Sequence, residues 1–186
     1  MSTRPSWRKR PRENAGRALK VLGIDPGSAV VGYGLVEDGH GSPRLLECGV
    51  IRADAGESLP ARLRTISEGV TELISRHHPD VLAIEGIFYS RFARAAMVLG
   101  HARGVILLSA ETAGVLIAEY PPAVVKKTVV GRGGAMKAQV GYMCAQLLRL
   151  KTPPEPADAA DGVALALTHL LRQRDPSLRR ARTNGR

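Results

Sequence analysis

Lys20-Val21-Leu22-Gly23-Ile24 is a short apolar run that breaks at the turn signal Asp25-Pro26-Gly27-Ser28, so a first strand is expected to stop there. Val30 to Glu37 alternates apolar with polar residues and carries Gly32 and Gly34. Asp38-Gly39 interrupts it, and a third strand is expected near Leu45–Arg52. Three strands on short connections predict an antiparallel meander. Leu63, Ile66, Val70, Leu73 and Ile74 then recur at helical spacing between Leu59 and His77, with Pro79 closing the segment. Val81-Leu82-Ala83-Ile84 reads as a buried strand ending at Glu85. Arg91 to about Ala113 reads as a long helix and Val115–Glu119 as a strand stopped by Pro121-Pro122. A short helix through Val124–Lys126, a Gly131–Gly134 loop, a helix over Ala135–Leu150, a linker over Thr152–Pro156 and a last helix over Ala157–Leu171 complete the pattern. The order βββαβαβαα predicts an α/β fold, a five-stranded mixed sheet flanked by helices. There is no internal repeat.

The chain has 186 residues, enough for one domain with a substantial core. Its formal charge is +10, from 27 basic and 17 acidic residues. Residues 1–20 hold seven basic side chains and one acid, and residues 172–186 hold six and one. That leaves 14 basic against 15 acidic residues between 21 and 171, a nearly neutral body. Residues 1–19 and 173–186 are therefore expected to be disordered basic tails around a domain spanning 20–172. Such tails suit a polyanionic partner, or merely solubility, without placing a site on the body. No apolar run reaches the roughly 18 residues of a membrane span. Cys48 and Cys144 sit in apolar stretches and read as small core residues, with no spacing that suggests zinc. A reducing compartment, the cytoplasm, is expected.

The acids change the picture. Asp25 and Glu85 each stand where an apolar strand stops, and Asp158 and Asp161 are three apart at the start of a helix, on one face. Strand ends and helix termini are where α/β folds gather their sites. Four carboxylates without Cys or His suit a hard cation, magnesium or manganese. Two such ions about 4 Å apart can serve an in-line phosphoryl displacement. Taken singly, Asp-Pro-Gly is also a plain turn signature, and acids at a helix start also favour its dipole. Glu85 is harder to dismiss, because a carboxylate directly after a buried strand needs a partner.

These segments resemble a known family. Val-Leu-Gly-Ile-Asp25-Pro-Gly-Ser, Leu-Ala-Ile-Glu85-Gly-Ile-Phe88, Val-Lys126-Lys-Thr-Val-Val-Gly, Lys137-Ala-Gln-Val and Ala-Asp158-Ala-Ala-Asp161-Gly-Val-Ala-Leu-Ala look like the RuvC family of Holliday-junction resolvases, in order from about Lys20 to Arg172. The resemblance implies a ribonuclease H-like fold, a homodimer, and magnesium-dependent nicking of two opposed strands of a four-way DNA junction. It places Asp25, Glu85, Asp158 and Asp161 on the catalytic acids, Phe88 on the junction-core aromatic, and Lys126 and Lys137 near the scissile phosphate. It also implies a RuvA–RuvB branch-migration motor as partner. Phe92 and His101 depart from the Asn and Gln common in relatives, and Asp158 stands where some carry His.

Other residues add candidates. Phe88-Tyr89 stands out in a chain poor in aromatics, and a loop aromatic can stack on an opened base or simply cap the next helix. Arg91, Arg94 and Arg103, with Lys126, Lys127, Arg132 and Lys137, can track phosphates or form a solvated face. Lys137 opens a helix, where the dipole disfavours a cation, so its placement asks for a reason. The small residues Ala93, Ala95, Ala96, Gly100, Ala102 and Gly104 suit close packing, in a dimer or within the chain. His77-His78 reads as a helix C-cap, and His169 faces either core or site. Three rival readings stay open: a related nuclease acting on structured RNA, a sugar-kinase or actin-like ATPase for which the chain is too short, and a non-catalytic DNA-binding module.

Overall fold

The computed structural model describes residues 17–39, 41–86 and 93–175. Five strands, β1 (Lys20–Asp25), β2 (Val30–Asp38), β3 (Pro43–Arg52), β4 (Val81–Glu85) and β5 (Leu116–Tyr120), form one sheet in the order β3-β2-β1-β4-β5. The expected meander is present: β1 pairs antiparallel with β2, and β2 with β3. β1–β4 and β4–β5 are parallel, as helical crossovers require.

Alternation along the central strands separates two cores. Leu22, Ile24, Leu82 and Ile84 face one side, against α1 (Leu59–His77) and α2 (Ala93–Thr112). Val21, Val81 and Ala83 face the other, with buried residues of α3 (Pro122–Val130), α4 (Lys137–Leu148) and α5 (Ala157–Arg174). In α1 the Ser58 hydroxyl accepts from the Ala61 N–H, and His78 ends the helix in the left-handed conformation with φ 47°. The expected C-cap at His78 is therefore present, while His77 instead pairs with Glu47 at 2.8 Å. His169 belongs to the core and is bonded at Nδ1 to the Tyr120 hydroxyl at 2.8 Å. Cys144 is a free thiol in that core, held un-ionised by burial that pushes it up to about 12.

Several boundaries differ from the sequence pattern. The helix expected through Val124–Lys126 extends to nine residues, so that three full helices follow β5. Val125 and Val129 are buried there, so tertiary packing overrides the weak helix propensity of β-branched residues. α4 is shorter than expected, and α5 runs on to Arg174. Arg174 pairs with Asp38, and Arg17 with Asp80, so both residues assigned to tails are ion-paired to the body. The rest of those tails lies outside the described residues. No described helix is long and apolar enough to cross a membrane.

α5 is buried along nearly its whole length. It reaches the sheet backbone because glycines line its path. A Cβ on Gly23 would stand 2.0 Å from the Gly162 carbonyl oxygen, and one on Gly32 would stand 1.9 Å from that of Asp158.

Candidate active site

The same alternation that divides the cores aims the acids. Asp25 follows Val21 and Gly23 on the α5 face of β1, and Glu85 follows Val81 and Ala83 on that face of β4. Asp158 and Asp161 occupy the first turns of α5, which Gly32 allows to lie on the sheet. Carboxylate oxygens of Asp25, Asp158 and Asp161 lie within 4.8 Å of one another. Glu85 stands outside that trio but lines the same cleft as Asp25 and Asp161, and its charge acts on Asp25. All four acids expected from sequence are thus brought together, on two strand ends and one helix turn.

Their electrostatics are strained. Burial first, then the charges of Glu85, Asp161 and Asp158, push Asp25 up from 3.8 to about 7, against the pull of Lys137. Burial and Asp161 likewise raise Glu85, opposed by Lys137, Asp25 and Arg103. A cluster of carboxylates that resists full ionisation is one a cation would relieve. The donors are all oxygens, with no sulfur or imidazole, which fits a hard divalent ion.

Asp25, Glu85 and Asp161 line a cleft of ≈ 240 Å³ with Lys126, Lys137, Pro122, Val125 and Val140. Lys137 Nζ donates to Asp161 Oδ2 at 2.7 Å. This bond is the main cause of its raised pKa, and it answers why a cation opens α4. Lys126, half-buried, completes the basic side of the cleft. Lys127 and Arg132 are exposed and stand outside the cleft lining.

One expectation is corrected. Arg103, grouped with phosphate-tracking residues, is 8% exposed. Its guanidinium donates to the Glu85 carbonyl and to Glu119, leaving no open fork for a phosphate. Phe88, Tyr89, Arg91 and Phe92 lie outside the described residues, as does the side chain of Arg94. His101 is exposed, with Nδ1 2.7 Å from the Met97 carbonyl. Gly23 and Gly32 were missed as site residues. Their signal was available, since a glycine inside a strand pattern marks close backbone approach.

Comparison with known proteins agrees with this geometry. Residues 21–169 match the model of the family described as crossover junction endodeoxyribonuclease RuvC. A protein of that name from Sorangium cellulosum is 48% identical over 152 residues, covering 82% of this chain and 84% of its own. One from Hahella chejuensis is 50% identical over 152 residues, covering 82% and 87%. Among solved structures, Thermus thermophilus RuvC in complex with Holliday junction substrate is 34% identical with a TM-score of 0.76, covering 84% of this chain and 95% of that one. The sheet and its helices have the expected ribonuclease H-like fold of that structural family.

Proposed function

The chain belongs to the RuvC family of crossover junction endodeoxyribonucleases, and from that premise we propose that it resolves four-way DNA junctions with Asp25, Glu85, Asp158 and Asp161 as its catalytic acids. The family is metal-dependent, and the observation that carries the assignment is the convergence of three aspartates within 4.8 Å. We propose two divalent ions as the cofactors, magnesium with manganese as a substitute, held by Asp25, Asp158, Asp161 and Glu85. When bound, they would supply an activated water and charge stabilisation for an in-line phosphodiester hydrolysis.

The chain's own residues do the rest. The two strand ends fix Asp25 and Glu85 on a rigid sheet, and the first turns of α5 fix the other two acids. Lys137 stands with its side chain 73% exposed while touching Asp161, so its ammonium meets a phosphate oxygen arriving from solvent. Lys126 adds positive charge on the cleft wall. Lys127, Arg132 and Arg91 are proposed to hold the backbone of the bound arms, and Phe88 with Tyr89 to stack at the opened junction centre.

Two symmetric nicks in opposed strands need two related sites, which a two-fold dimer provides. α2 supports that arrangement. Ala102 is spent on the chain's own core. Met97 and Leu108 are 66% and 64% exposed on the opposite side, and a Cβ at Gly100 or Gly104 would meet nothing. We place the second copy on that stripe. A nuclease domain over 20–172, a cytoplasmic setting, a role in recombination and repair, and a RuvA–RuvB motor as partner follow from the family assignment.

The test is cleavage of a synthetic mobile four-way junction with magnesium, comparing wild type with Asp161→Asn. Paired symmetric nicks that vanish in the variant are expected. Binding without cutting by the wild type would turn the protein into a junction-binding module, and preference for folded RNA would redirect the substrate.

A further inference from the structure

We propose that Arg103 is a positioning residue for the site, holding the end of β4 from the α2 side so that the Glu85 side chain points into the acid cluster. The inference rests on the functional reading above. Arg103 lies on α2 beside Ala102 and Ile106, both fully buried. A guanidinium placed in such company needs hydrogen-bonded compensation. It has two partners: Nη1 donates to the backbone carbonyl of Glu85, and Nη2 donates to Glu119 Oε2 at 2.6 Å.

The first of these contacts falls on the peptide unit that leaves Glu85. The other end of that unit is also held, because the Gly86 N–H donates to the Tyr120 carbonyl at 2.8 Å. The β4–β5 ladder has its last register pair at Glu85 and Tyr120, so no further strand pairing fixes this peptide. Arg103 takes over where the sheet stops. The orientation of that plane bears directly on the Cα–Cβ direction of Glu85, and hence on whether its carboxylate meets Asp25. Glu119, on the neighbouring strand, holds the second arm of the fork. A planar fork reaches both acceptors at once, which an ammonium cannot do with one nitrogen in the same geometry.

The experiment compares Arg103→Met, Arg103→Lys and Glu119→Gln with wild type. Four quantities are measured: manganese binding without DNA by electron paramagnetic resonance, junction affinity without metal, single-turnover cleavage across a magnesium titration, and melting temperature. Arg103→Met is expected to weaken metal binding and slow cleavage by about tenfold or more, the range seen when groups behind a metal ligand are removed. Junction affinity should be unchanged. Arg103→Lys should recover part of the loss, because one donor still reaches the Glu85 carbonyl. Glu119→Gln should keep metal affinity and turnover, since the Glu85 contact survives.

A folded Arg103→Met with wild-type manganese binding would overturn the proposal. So would a loss of junction affinity that matches the loss of cleavage, which would mark Arg103 as a DNA contact. If Arg103→Met does not fold, Arg103→Lys decides by the same two criteria. The manganese measurement needs no substrate. A wild type that fails to cut junctions would therefore sink the assigned function and leave the positioning role standing or falling on its own result.

Discussion

Removing the charge at Asp25 should stabilise the metal-free protein while destroying its activity. Asp25 is held at about 7, against 3.8 for an unperturbed aspartate. Between those values the folded chain keeps a proton that the unfolded chain has released. Stability from this group is therefore fully present below about pH 4, declines as pH rises, and is lost above about 7. At about 1.4 kcal/mol per pH unit, the gap sets a ceiling of about 4 kcal/mol. Partial solvent access to the cleft lowers the realistic penalty to about 2 kcal/mol. Asp25→Asn removes it. In a chain of this size that corresponds to a rise in melting temperature of about 4–8 °C at pH 8, with no rise at pH 4. Saturating magnesium should reverse the order, because the wild type gains a ligand-linked stabilisation that the variant lacks. The assay is a set of thermal melts at pH 4, 6 and 8, each with and without magnesium in place of chelator. A variant less stable than wild type at pH 8 without metal would refute the electrostatic account, as would a gain independent of pH.

Three further outcomes follow from the geometry. Gly32→Ala puts a methyl 1.9 Å from the Asp158 carbonyl oxygen; overpacking against backbone should cost about 1–3 kcal/mol, read by urea denaturation, and should abolish cleavage by lifting α5 off the sheet. Lys137→Ala should lower single-turnover cleavage by about tenfold to a hundredfold with junction affinity nearly unchanged; equal losses in both would make it a binding residue. Leu108→Glu should convert the proposed dimer to monomer in sedimentation experiments without lowering the melting temperature of the monomeric fold, and a variant that stays dimeric would move the interface off α2.

Much of this arrangement was legible in the order of residues. Asp25 and Glu85 announce themselves because an apolar run stops at a carboxylate, and the same alternation that buries Val21 and Val81 puts both acids on one face. The three-residue step from Asp158 to Asp161 fixes their common direction. What local patterns could not carry was contact at long range. The pairing of Gly32 with Asp158 depends on how α5 crosses the sheet, and a lone strand glycine does not name its neighbour. Arg103 read as one more surface cation because nothing nearby in sequence shows that its fork ends on the Glu85 carbonyl. The length of α3 was hidden by its valines, whose strand preference loses to the burial of Val125 and Val129. The helix-opening position of Lys137 was visible as an anomaly, and only the fold supplies Asp161 as its explanation.

The seating of α5 on the glycine path has a consequence for when the protein becomes dangerous to DNA. Asp25 and Glu85 are synthesised early, but the other two acids arrive on the last element of the sheet-and-helix body and converge only when that helix settles against β1 and β2. A nascent chain on the ribosome, or a fragment broken before residue 157, holds half a centre. On the proposed assignment of the four acids, synthesis through α5 and docking of that helix act together as an arming step, and a copy that stops before residue 157 should not cut a junction.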